Sequence, residues 1–187
     1  IFINGPNNPY LAEDARALDM VDLIMFDEIA ISDLSDKQQN ALYSWVQQGG
    51  TILVGNDDFG TGAAGIFEDS LPLTFDGSEA TIAVEDLSKF TRNGVFTEDV
   101  NVSRASLKDN GIAHITLSNT LLVGKKGIGK GLLMQTTFSL GDEPLSSMAG
   151  YGKLLAEILS LTSFNNQHMG YQSVAGYAGG WTYLNEL

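Results

Sequence analysis

Two apolar runs separated by a helix pattern constrain the fold of this chain more than any other feature. Residues 21–27 read VDLIMFD and residues 51–55 read TILVG, each a near-continuous apolar run of strand length. Such runs are typical of strands that are buried on both faces of a parallel sheet. Residues 21–55 therefore predict a strand, helix, strand unit with a right-handed crossover and parallel strands.

The helix of this unit has a defined beginning and end in the sequence. Ser35 and Gln38 have the spacing of a capping box, in which both side chains bind backbone groups of the first turn. The double glycine at 49–50 predicts a left-handed cap at the other end. One apolar stripe connects the two ends and consists of Ala41, Leu42, Trp45 and Val46.

The remaining elements are predicted from shorter patterns. Residues 1–3 (IFI) indicate an earlier strand, and residues 71–119 contain short alternating runs that predict an inserted antiparallel segment. Residues 120–140 hold two β-rich runs joined by KKGIGKG, which predicts a hairpin. Residues 147–161 carry leucine and isoleucine at helical spacing, so we expect a helix that covers the sheet.

The chain is strongly acidic, with 23 Asp and Glu against 10 Lys and Arg and a net charge of −13. Residues 1–99 hold 18 acids and 4 bases, a net −14, whereas residues 100–187 hold 5 acids and 6 bases, a net +1. Binding of nucleic acid or of an anionic membrane requires clustered Lys and Arg. The charge balance therefore argues against both kinds of partner.

The chain contains no cysteine, which excludes disulfides, thiolate metal sites and cysteine nucleophiles. It also contains no apolar run near the roughly 20 residues that span a bilayer, so we expect no membrane insertion of this segment. It begins with Ile1, without a basic and apolar leader, and ends without a charged tail. We therefore expect it to be a piece of a longer protein.

Three segments carry a resemblance to a known family: residues 22–55, residues 129–145 (GKGLLMQTTFSLGDEPL) and residues 150–159 (GYGKLLAEIL). They resemble the class I glutamine amidotransferase-like domains of bacterial envelope proteins, over roughly residues 20–60 and 120–160. The resemblance implies a flavodoxin-like three-layer sandwich with a mostly parallel sheet and a small antiparallel insertion. It also implies an extracytoplasmic or membrane-anchored bacterial parent, and the absence of cysteine is compatible with that location.

On this basis we expect one α/β domain over residues 1–161, with the insertion at about 71–119. Residues 162–187 are rich in glycine and aromatics and predict a tail or a link to a following domain. The aromatic residues of the tail favour the plugging of a sheet edge, with a carbohydrate or partner surface as the alternative. They are Tyr171, Tyr177, Trp181 and Tyr183.

The catalytic residues of an active glutamine amidotransferase are missing. Such an enzyme needs a cysteine at a strand-to-helix elbow and a downstream histidine, but the chain has no cysteine and only His114 and His168. Ser139 lies outside a G-x-S-x-G elbow, which argues against serine hydrolysis. The sequence therefore favours a non-catalytic binding or scaffolding domain with an unknown protein or carbohydrate ligand.

Residues 124–131 (GKKGIGKG) match the glycine and lysine spacing of a phosphate-binding loop. However, Gly131 stands where the magnesium-binding hydroxyl belongs, and the following LLMQTTFSL is typical of a strand rather than of a helix. We interpret the segment as a basic hairpin turn.

Three acidic pairs follow the predicted carboxyl ends of buried strands and form the candidate site. If the strands are parallel, the pairs meet at one edge, where they could bind Ca²⁺ or Mg²⁺ or hydrogen-bond a sugar. The alternatives are a solvated, turn-forming set of acids, which the composition favours, and a carboxylate-based hydrolase or metal-dependent enzyme. The six residues are Asp27, Glu28, Asp57, Asp58, Asp142 and Glu143.

Overall fold

The structure, a computed structural model, describes residues 2–4, 11–27, 30–56 and 63–160. Residues 2–4 are described by their backbone alone. Eight strands and three α-helices lie in these ranges. In chain order they are β1 (Phe2–Asn4), β2 (Leu23–Asp27), α1 (Asp36–Gln48), β3 (Thr51–Val54), β4 (Leu73–Ile82), α2 (Val84–Phe90), β5 (Val100–Leu107), β6 (Ile112–Leu117), β7 (Thr120–Ile128), β8 (Gly131–Thr136) and α3 (Tyr151–Ser160).

Six of the strands form one mixed sheet, in the order β1, β2, β3, β8, β7, β6. The first four are mutually parallel, whereas β7 pairs antiparallel with both β8 and β6. Strands β4 and β5 form a separate antiparallel ribbon with a register irregularity between Phe75 and Glu79. The predicted parallel unit β2, α1, β3 is confirmed, and so is the predicted hairpin of β7 and β8.

The expected flavodoxin-like three-layer sandwich with a mostly parallel sheet is wrong. Three of the six strand pairs among the described residues are antiparallel. The cause is local, because β7 and β8 are joined by Gly129 and Lys130 alone, and β6 and β7 by Ser118 and Asn119. Two-residue connections join antiparallel strands, whereas parallel strands need a long crossover.

The antiparallel part is also larger than a small insertion. Residues 71–119 contain β4, α2, β5 and β6, of which β4 and β5 form the ribbon whereas β6 joins the main sheet as its edge strand.

The two faces of the main sheet pack on different elements. One face packs on α1, through buried side chains that include Ile52, Leu133, Leu42 and Trp45. The other packs on the ribbon, α2 and α3 together.

Helix α1 begins and ends as its sequence predicts. Ser35 Oγ accepts a hydrogen bond from the Gln38 amide, and the Gln38 side chain accepts one from the Ser35 amide at 2.9 Å, so the capping box is confirmed. Gly49 ends the helix with a φ of 133°, a left-handed conformation that favours glycine.

The glycines of residues 124–131 pack the β7–β8 hairpin against the end of α1. A Cβ added to Gly131 would lie 2.0 Å from the Val46 carbonyl oxygen, and one added to Gly129 would lie 2.7 Å from the carbonyl oxygen of Gln47. The Lys130 amide also donates to the Gln47 carbonyl at 3.0 Å. Close backbone contact between the hairpin and α1 explains these two glycines without a phosphate ligand.

None of the helices in the described ranges has both the length and the apolar character needed to cross a membrane.

Candidate functional site: an acidic cleft at one edge of the sheet

The carboxyl ends of four parallel strands meet at one edge of the main sheet. Register pairs place Asn4 of β1 beside Asp27 of β2, Phe26 beside Val54 of β3, and Val54 beside Gln135 of β8. The loop that follows β8 then crosses the end of β2. Among open α/β sheets, this edge is where ligands ordinarily bind.

Asp27 ends β2 with a fully buried carboxylate, 0% exposed. Its Oδ1 accepts a hydrogen bond from the Leu140 amide at 2.8 Å, and its two oxygens lie 3.3 and 3.2 Å from the donating hydroxyl of Ser139. A buried carboxylate needs such donors because removal from water penalises the charged form. Asp27 therefore holds the loop after β8 against the end of β2, although Ser139 lies 112 residues further along the chain.

Tyr151, the first residue of α3, contacts the same loop. Its hydroxyl donates to the Leu140 carbonyl at 2.5 Å, and the side chain is buried. Burial raises the pKa of the Tyr151 phenol well above its ordinary value, and the negative charge of Asp27 raises this pKa further. Tyr151 is therefore a neutral hydrogen-bond donor in this structure, not a base.

A cleft of about 410 Å³ opens between this edge and the β4–β5 ribbon. Its outer part carries five exposed carboxylates, and none of the fifteen lining residues that the structure describes is Lys, Arg or His. Buried apolar residues that include Val100, Val102, Phe138 and Leu145 form its inner part. The five acids are Glu79, Glu98, Asp99, Asp142 and Glu143.

Polar contacts hold the ribbon to the sheet edge beneath the cleft. Asn56 Nδ2 donates to Ser103 Oγ at 2.7 Å, and the Ser103 amide donates to the Thr137 carbonyl at 2.8 Å. The Asn56 amide donates to the Phe138 carbonyl at 2.9 Å. These bonds fix the residues after β3 and β8 against β5, so the cleft has walls from three different parts of the chain.

Of the three sequence-predicted site residues that the structure describes, two line the cleft. Asp142 and Glu143 line it and are exposed, whereas Asp27 lies buried behind it and is not part of the lining. Glu28, Asp57 and Asp58 lie outside the described residues.

Sequence reasoning missed Asn56, which follows β3, and the ribbon side of the cleft, which includes Glu79, Glu98, Asp99 and Ser103. No spacing signal marks these residues, because acids are common throughout the first half of the chain. The Asp99 carboxylate has a further contact, since its Oδ1 accepts from the Val84 amide at 3.0 Å at the start of α2. Only the pairing of β4 with β5 over the sheet brings Glu79, Glu98 and Asp99 to the edge of the sheet.

A metal site does not form among the acids that the structure describes. Across residues 11–27, 30–56 and 63–160, no three Asp, Glu or His side chains are grouped so that they could hold a metal ion. Calcium or magnesium binding by the predicted acidic rim stays a prediction for the residues outside those ranges.

The described residues do not assemble a serine nucleophile with a histidine base at this edge. The Ser139 hydroxyl donates to Asp27, whereas His114 Nε2 lies 3.0 Å from the Ile158 carbonyl oxygen at the end of α3. His168 lies outside the described residues, as do the four aromatic residues of the tail. The alternative of a carboxylate-based hydrolase stays a prediction.

Comparison with known proteins gives a fold likeness alone. No protein-family model matches the chain, and no curated protein matches it. Two solved structures from Salmonella typhimurium are similar. Cytoplasmic Protein STM3548 has a TM-score of 0.57 and 16% identity, over 80% of this chain and 74% of that one. Cytoplasmic Protein STM1381, from strain LT2, has a TM-score of 0.58 and 13% identity, over 81% and 76%.

A part of a larger enzyme is also similar. An exo-β-1,4-mannosidase from Opitutaceae bacterium strain TAV5 matches with a TM-score of 0.44 and 13% identity, over 83% of this chain and 26% of that one. At these identities the two Salmonella structures show a likeness of fold alone, and none of the three matches carries an activity over to this chain.

Proposed function

We propose that this chain is a non-catalytic binding domain whose cleft takes a cationic ligand, an alkyl amine of the polyamine or lysine side-chain type. The observation that carries the proposal is the lining of the cleft, which among the described residues has five exposed carboxylates, no basic side chain and a buried apolar inner part. The position of the cleft at the carboxyl ends of parallel strands supports a binding role.

The chemistry of the lining selects the ligand. Ammonium groups are attracted by the carboxylates at the outer part of the cleft, and an alkyl stem can cover the apolar residues further in. Phosphate and carboxylate ligands are repelled, because no basic side chain lines the described cleft to pair with them. A neutral sugar gains no charge attraction here.

The test is isothermal titration of the protein with spermidine and, separately, with a trilysine peptide. We expect both to bind at low salt and a neutral disaccharide not to bind. Tighter binding of the peptide would identify a protein partner as the source of the amine, and tighter binding of spermidine a free polyamine. If neither binds, the proposed function is wrong.

A matched pair of double variants separates cleft charge from overall charge. Glu98→Gln with Asp142→Asn removes two carboxylates from the cleft, whereas Asp69→Asn with Asp109→Asn removes two exposed carboxylates outside its lining. We expect about a tenfold loss of affinity for the first pair and little change for the second, since each exposed charge contact is worth roughly 0.2–1 kcal/mol. Equal losses would show non-specific attraction.

The parent protein and its location are separate parts of the proposal. A larger bacterial parent of the glutamine amidotransferase-like class, placed outside the cytoplasm, is supported by the sequence resemblance and by the absence of cysteine. The names of the two Salmonella neighbours point instead to the cytoplasm. The full-length reading frame tests this part, because an encoded signal peptide supports export and a complete gene without one contradicts it.

A further inference from the structure

The buried Asp27 carboxylate accepts hydrogen bonds from the loop beside the cleft, although it does not line the cleft itself. We infer that Asp27 is a positioning residue, which orders residues 139–143 and so holds the Asp142 and Glu143 carboxylates at the cleft. The inference rests on the proposed function, because it assigns these two carboxylates to ligand binding.

A short chain of hydrogen bonds connects Asp27 with the loop. The carboxylate accepts from the Leu140 amide and from the Ser139 hydroxyl. The oxygen of that hydroxyl accepts in turn from the amides of Gly141 and Asp142, each at 3.3 Å. One buried charge thereby orients four successive residues of an otherwise irregular segment, and hydrogen bonds to a charged group are stronger than those between neutral groups.

Gly55 provides the space in which this carboxylate lies. A Cβ on Gly55 would lie 2.0 Å from Asp27 Oδ1, far inside van der Waals contact. An alanine at position 55 must therefore displace the carboxylate, while the charge itself remains in the protein. This offers a way to disturb the position of Asp27 without removing it.

The first experiment measures amide hydrogen exchange by NMR without any ligand. In Ser139→Ala we expect the Gly141 and Asp142 amides to exchange about tenfold faster, because their acceptor is gone. In Gly55→Ala and Asp27→Asn we expect the Leu140 amide to accelerate as well. If Asp27→Asn fails to fold, the other two variants still decide the result.

The control is Thr91→Val, which deletes a buried hydroxyl elsewhere. Thr91 Oγ1 donates to the Leu87 carbonyl at 2.7 Å and accepts from the Gly94 amide at 3.1 Å, at the end of α2. Like Ser139→Ala, it removes a hydroxyl that accepts from a backbone amide, but it does not touch the 139–143 loop. We expect the exchange of the Gly141 and Asp142 amides in this variant to equal that of the wild type.

The second experiment repeats the spermidine and trilysine titrations on the same variants. Accelerated exchange together with about tenfold weaker binding in Ser139→Ala and Gly55→Ala, but not in Thr91→Val, supports the inference. Unchanged exchange at residues 140–142 in all three Asp27-directed variants overturns it, whatever the affinities are. If the wild type binds neither amine while exchange accelerates, Asp27 positions the loop and the proposed function alone fails.

Discussion

Gly131 of β8 lies directly against the last turn of α1, where the Val46 carbonyl oxygen leaves no room for a side chain. A Cβ would meet that oxygen at 2.0 Å and the Gly50 carbonyl oxygen at 2.3 Å. Both atoms belong to the backbone, so neither can move aside as a flexible side chain would. The hairpin and the helix are thus joined by close backbone contact.

The first prediction follows from this contact. Gly131→Ala is expected to lower the free energy of unfolding by about 2 kcal/mol or more, because overpacking forces the hairpin away from α1. Urea denaturation followed by circular dichroism measures the loss. The control is Gly127→Ala in the same hairpin, where an added Cβ has no atom within 4 Å. Equal stability of the two variants would contradict the packing explanation.

The second prediction concerns the beginning of α1. Ser35→Ala removes the side-chain acceptor of the Gln38 amide and is expected to cost about 1 kcal/mol of stability. For a domain of this size that corresponds to a fall of about 2–4 °C in the melting temperature by calorimetry. Ser35→Asp should restore most of the loss, since aspartate is an equally good N-cap. A variant with alanine that melts at the wild-type temperature would be inconsistent with a stabilising cap.

The third prediction is that protonation of His114 makes the protein less stable at acidic pH. Burial lowers the pKa of this half-buried imidazole below its usual 6.5, and the charge of Lys125 lowers it further, against a hydrogen bond to Ile158 that raises it. The unfolded chain therefore takes up the proton first, so stability is lost as the pH falls through and below about 6.5.

The measurement is urea unfolding of the wild type and of His114→Gln at pH 7.5 and 5.5. We expect the wild type to lose more stability than the variant on acidification. Because His168 and the carboxylates are common to both proteins, the difference between the two slopes isolates His114. A steeper loss in the variant would mean that the imidazole is stabilised in its charged form.

The fourth prediction is a salt dependence of amine binding. Attraction between exposed carboxylates and an ammonium is screened by ions, so the spermidine affinity should fall steeply from about 20 mM to about 0.3 M salt. The Glu98→Gln and Asp142→Asn double variant should show a shallower fall, because fewer charges contribute. An affinity that is independent of salt would point to apolar contacts instead.

Local patterns predicted the elements whose causes are local. The capping box of Ser35, the double glycine after α1 and the buried strands β2 and β3 were all predicted correctly, since each depends on residues close in sequence. The hairpin of β7 and β8 was also predicted from its turn. The overall sheet was not, because the pattern of residues 112–117 does not show whether that strand pairs with the predicted insertion or with β7 at the edge of the main sheet.

For the candidate site, composition and local pattern were enough to predict the acidity of the chain, the absence of cysteine chemistry and the position of the Asp142 and Glu143 pair after a strand. Which acids share a cleft depends on long-range packing. Glu79 and Glu98 reach it because the β4–β5 ribbon folds over the sheet edge, and Asp27 is withdrawn from it because its carboxylate is buried beneath Leu140. The exposed Asp142 and the buried Asp27 are the same residue type in the sequence. Only long-range contacts distinguish them, since the Asp27 carboxylate accepts from the Leu140 amide and the Ser139 hydroxyl.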